Sequence, residues 1–161
     1  MVVAIISLLS SVVLASLSGA SESARDARRK VDLEQLQTAL ELYYNNNRTY
    51  QVLNTGSGGG GNGWFNYENG GSYPKSVAQG LVDAGVVGSI IIDPSGEETS
   101  NSSDQTGYMI RAGRDHYTVW ANLENPSDDD RATLNTCYYD SYDNYRSSYS
   151  PSARINYCVS N

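Results

Sequence analysis

MVVAIISLLSSVVLASLSGASESARDARRKVDLEQLQTALELYYNNNRTY, residues 1–50, is the stretch on which the fold turns. Met1 to Leu17 carries no charge. As a helix it is about 26 Å long at 1.5 Å per residue, a little under the roughly 30 Å of a hydrocarbon layer. A cleaved secretory signal would need a basic residue ahead of the apolar run, and none is there, although Ser18-Gly19-Ala20 has the small residues of a cleavage site. A plain membrane anchor would put Arg25, Arg28, Arg29 and Lys30 on the cytoplasmic side. The third reading, one continuous helix, also accounts for the residues beyond Ser21. Leu33, Leu36, Leu40 and Tyr43 recur at steps of three, four and three, the stripe of a 3.6-residue period, which Val31, Ala39 and Tyr44 are expected to widen. Asn45-Asn46-Asn47 is the expected stop, because Asn tolerates the left-handed conformation that ends helices.

Such a helix, over roughly residues 1–45, would be about 68 Å long. Its two halves must be buried in different ways. Leu33, Leu36, Leu40 and Tyr43 are expected to pack on a head domain. The apolar half, carrying Val2, Val3, Ile5, Ile6, Leu8, Leu9, Val12, Val13, Leu14 and Leu17, needs lipid or copies of itself. Ser16, Ser18, Gly19, Ser21 and Ser23 form the weakest helical stretch, so any melting is expected near Leu17 to Ala20. The chain divides accordingly into residues 1–48, apolar to 20 and amphipathic from 21, and a head over 49–161.

This layout resembles the type IV pilins and the pseudopilins of type II secretion. The likeness covers residues 2–50 and includes the Leu-Glu-x-Tyr-like end of the helix, the Asn-rich turn and Tyr50. The resemblance implies an α+β fold, a long N-terminal α-helix packed against a small antiparallel β-sheet. It also implies a structural subunit of an extracellular type IV pilus-like filament, polymerising through its apolar helix. The expected partners are identical subunits in a helical filament, the inner membrane before assembly, and the pilus assembly machinery. A secretion pseudopilin and a monomeric membrane-anchored binding protein are the alternatives. Members of the family begin with a basic leader, a Gly, an aromatic residue and an early Glu, none of which precedes Met1. The expectation is a start inside the family's helix, about six residues late.

Beyond Tyr50 the composition changes. The net charge is −7, and all of the excess lies past Arg48, where 13 acids face six bases. That gives no basic footprint for nucleic acid. Gly56 to Gly63 reads as a flexible loop, with Trp64 and Phe65 to pin it back. Ser76 to Ala84 reads as a short helix stopping at Gly85. Tyr108 to Arg111 and His116 to Leu123 are rich in β-formers and flank Ala112-Gly113-Arg114-Asp115, a hairpin signal. Further strands are expected around Thr133 to Tyr139 and Ile155 to Val159, each with one cysteine. In an exported protein Cys137 and Cys158 read as a disulfide, with two buried thiols as the alternative.

Catalytic patterns are missing from the sequence. His116 is the one histidine, and no nucleophile elbow, phosphate loop or zinc motif appears. The chain is therefore read as not an enzyme, and no cofactor is implied. Asp128, Asp129 and Asp130 are the oxygen ligands that a calcium ion would use, and pseudopilin heads often hold one after the hairpin. They lack the alternating loop pattern, so a solvated acidic turn is the plainer reading. Tyr138, Tyr139, Tyr142, Tyr145 and Tyr149 crowd one segment, which suits either a contact surface or a loop closed by the cysteines. Asn47-Arg48-Thr49 and Asn101-Ser102-Ser103 fit the glycosylation triplet.

Overall fold

The leucine stripe has the consequence its spacing demands. In the computed structural model, α1 runs without a break from Val2 to Asn47. The structure describes residues 2–56, 60–61, 63–66, 75–95, 107–137 and 156–161, with the side chains of α1 described from residue 17. Leu33, Leu36 and Leu40 are fully buried and Tyr43 nearly so. They meet a four-stranded sheet of order β1-β2-β3-β4, antiparallel throughout: β1 Gly63–Trp64, β2 Met109–Ala112, β3 Tyr117–Ala121 and β4 Tyr157–Ser160. The fold class is thus α+β, one long helix on a small antiparallel sheet.

Alternation along the strands decides which face the helix covers. Tyr108, Ile110 and Ala112 point into the core beside Tyr117, Val119 and Ala121, as a period of two requires. Ile110 sits opposite Val119 and Ala112 opposite Tyr117. Phe65 closes the core from the β1 side, and Val77, Ala78 and Leu81 close it from α2 (Val77–Asp83). Ser76 caps α2 by accepting from the Gln79 amide. Gly85, at φ +70°, ends it with its N–H on the Val82 carbonyl while the Val86 N–H reaches Leu81, the glycine-terminated helix end expected from the sequence.

Several expectations are corrected. Arg48, at φ +57°, takes the left-handed position after α1, and Asn47 instead turns its side-chain amide back onto the Tyr43 carbonyl. Thr133 to Asn135 form a single 3-10 turn instead of a strand. The cause lies just upstream, where Ser127 and Asp130 form a capping box that starts α3 (Asp128–Ala132), and the chain runs on helically. Tyr138 to Ile155, including most of the Tyr-rich segment, lies outside the described residues, as do Asn101 to Ser103. The helix is continuous through Leu17 to Ala20.

The largest correction concerns the membrane. Among the described residues no helix is long and apolar enough to cross a membrane. The physical reason is charge: nine ionisable side chains fall between Glu22 and Glu41, and several of them are bound to the head. The uncharged run before them spans only about 26 Å. Leu17, the one residue of the expected filament core whose side chain is described, is 59% exposed. The transmembrane helix, the inner-membrane precursor, the surface filament polymerised through an apolar helix and the membrane-anchored monomer are therefore not upheld. The side chains of Val2 to Leu14 lie outside the described residues.

Candidate functional surface

The side chains that tie α1 to the head are charged as well as apolar. Asp26 and Arg29 continue the leucine stripe toward the N-terminus at steps of three and four, and both are buried. Arg29 donates two bonds to Asp93, Nε to Oδ2 at 2.8 Å and Nη2 to Oδ1 at 3.0 Å, and Nη1 reaches Asp26 and Glu124 at 2.8 and 2.9 Å. Asp26 in turn accepts the backbone N–H groups of Glu124 and Asn125, both at 2.8 Å. Arg25 adds a bond to Glu124 at 2.6 Å. The helix is thus fastened to the loop after β3 and to the turn at Asp93 through one cluster. Deeper in, Asp32 is fully buried and accepts from Tyr108 Oη at 2.7 Å and Arg28 Nε at 2.9 Å.

The cluster holds its charges firmly. Hydrogen bonding from Arg25, then from Arg29, holds Glu124 down from 4.5 to about 2. Burial alone would push Asp93 up, but Arg29 and Ser95 outweigh it and keep that carboxyl below its usual range. Burial likewise opposes the shift at Asp130, where Lys30 and Ser127 prevail. A carboxylate depressed on folding contributes stability above its unfolded value and loses it as pH falls. The expected urea midpoint is therefore level from neutral pH to about 4.5 and falls between there and about 2. A midpoint unchanged across that window would show that the cluster contributes nothing.

At the other end of α1, Glu41 accepts from Tyr50 and Tyr117 at 3.0 and 3.4 Å, and Tyr50 packs between Tyr44 and Tyr117. Burial, helped by Glu41, pushes Tyr50 and Tyr117 up to about 12. Cys137 and Cys158 form a disulfide joining the end of the 3-10 turn to β4. The three aspartates considered for calcium do not converge. Asp128 and Asp129 are exposed, while Asp130 is occupied by Ser127 and by Lys30 at 2.6 Å. Among the described residues no three His, Cys, Asp or Glu side chains are grouped to hold a metal. His116 packs at the hairpin turn, where its ring fills the space beside Gly113.

What sequence reasoning missed is the opposite face of α1, to which Val31, expected on the buried stripe, belongs. Val31 and Leu42 are each 47% exposed. Ala20, Val31 and Leu42 are eleven residues apart, and Ala24 with Gln35 and Ala27 with Thr38 repeat the interval. An eleven-residue repeat holds such a row on one side of a nearly straight helix. With Leu17 the row is uncharged, and every member is exposed. Its signal was present in the sequence from Ala24 onward, because Val31, Gln35, Thr38 and Leu42 each fall two residues, about 200°, from a core leucine, and Ala24 and Ala27 fall two residues from Asp26 and Arg29. Along one edge a shallow groove of about 290 Å³ separates Gln35, Thr38 and Ala39 from Val86, Val87 and Ile91. Ile90 and Ile92 stand exposed beside it.

The chain matches no protein-family model, no curated protein and no solved structure. Its arrangement is compatible with the broader pilin-like family.

Proposed function

We propose that this chain is a non-catalytic structural protein, related to the pilins and pseudopilins, that acts by protein–protein contact through the exposed face of α1. The observation that carries the reading is the uncharged row from Leu17 to Leu42 on a helix whose other side is bound to the head by leucines and a buried ion cluster. A face that served only solvation would carry charge, as the flanking exposed positions Arg28, Glu34 and Glu41 do. Apolar side chains at regular spacing on a fixed helix are what a partner helix or groove recognises. The disulfide fits an oxidising compartment, where structural proteins rely on such links.

The test uses the full chain in its native cells, with chemical cross-linking. Val31→Lys places a charge in the middle of the row without touching the core. It is expected to abolish the cross-linked adducts that the wild type forms, with the unfolding midpoint unchanged. Adducts that survive Val31→Lys at full yield would refute the contact role of this face.

A further inference from the structure

We infer that Ile90 to Ile92 form an open pairing edge that takes up an extended, basic segment of another polypeptide as an added β-strand. This surface lies on the head, apart from the exposed row of α1. Val86 to Ser89 bend, whereas Ile90 to Asp93 run on without bend or turn as far as Pro94. Exposure alternates along them: Ile90 is 36% exposed, Ile91 half-buried, Ile92 45% exposed and Asp93 4%. That period of two belongs to an extended strand. Yet the segment is none of the four strands of the sheet.

Both inward residues are anchored. Ile91 packs against the core, and its carbonyl accepts from Asn66 Nδ2 at 3.1 Å. Asp93 is gripped by the two bonds from Arg29. In an extended chain the N–H and C=O of one residue share an edge, and those of its neighbours take the other. With the Ile91 carbonyl turned to Asn66, the main-chain groups of Ile90 and Ile92 face the opposite edge. None of those four groups has a hydrogen bond among the described residues. Two donors and two acceptors at fixed spacing are what an added strand satisfies. Open edges are commonly guarded by Lys, Pro or a bulge, but here both outward positions are isoleucine. Charge selects the partner. All of the net −7 lies past Arg48, so a second copy brings repulsion and a basic segment is drawn in. Opposite Ile90 and Ile92 that segment carries β-branched or aromatic side chains, the favoured cross-strand neighbours. Because the accepting edge is already held in shape, pairing has to order only the incoming segment.

The probe is a blocked synthetic peptide of alternating Lys and Val, added to the full chain and read by amide hydrogen exchange. Exchange is expected to slow at Ile90 and Ile92 but not at Ile91, whose N–H lies on the other edge. The same peptide N-methylated at every Val keeps its charge and side chains but loses the donors that this edge would accept. It is expected to bind about tenfold more weakly. Ile92→Pro removes one donor of the edge and no hydrogen bond of the fold. It should weaken the unmodified peptide about fivefold, with the urea midpoint kept. Equal binding of the two peptides would show attraction by charge alone and overturn the proposal. Exchange at Ile90 and Ile92 that the peptide does not slow would overturn it as well. The row on α1 is tested at Val31, so either reading can fail without the other.

Discussion

Arg29→Met is expected to destabilise the fold by about 3–5 kcal/mol, the loss incurred when one member of a buried ion cluster is removed and its partners stay behind. Arg29 is 3% exposed, and burial opposes its charge, yet its three carboxylate neighbours raise its pKa above the ordinary value. Without it, Asp93 is left buried with only Ser95 to donate to it, and Asp26 and Glu124 lose their shared cation. Met fills much of the same volume, so the change reports on charge rather than on a cavity. Urea unfolding at neutral pH should show the midpoint falling with the slope unchanged. A surface pair provides the contrast. Changing Lys75, which binds Asp83 from an exposed position, to Ala should leave the midpoint nearly where it was. If Arg29→Met behaves like Lys75→Ala, the cluster is not what fastens α1 to the head.

Replacing Cys137 and Cys158 together by Ser should cost about 3 kcal/mol. The two cysteines are 21 residues apart, so their bond restricts the unfolded chain over that loop. The native side matters too, because β4 is a four-residue edge strand with one neighbour in the sheet. Its Cys158 N–H donates to Thr133 Oγ1 at 3.1 Å, a bond that depends on the 3-10 turn staying where the disulfide holds it. Amide exchange in β4 should therefore accelerate more than in β2 or β3, and a reducing agent should reproduce the double substitution. A loss below about 1 kcal/mol would mean that packing of Tyr157 and Val159 against the core already fixes this edge.

Legibility differed sharply between neighbouring positions of one helix. Leu33, Leu36 and Leu40 declare themselves, because an apolar residue at helical spacing has few destinations other than a core. Asp26 and Arg29 lie on the same stripe, but as charged residues they read as solvated or as a membrane flank. Their burial depends on Asp93 and Glu124, 64 and 95 residues away from Arg29, and no local pattern encodes such a pairing. The aspartate run at 128–130 was visible as acidic. That Asp130 would turn inward, cap its own helix and bind Lys30 depended on where α1 lies.

By itself, the sequence determined the long helix, its leucine face, the hairpin and the pairing of two cysteines in one small α+β head, because periodicity and turn chemistry act over a few residues. Only the tertiary structure decided which charges are buried, which face of α1 is left open, and that the described helix is bound to a head by ionic side chains no membrane span would carry. Burial is a property of what a side chain lands against, and for α1 most of those surfaces arrive from more than sixty residues down the chain.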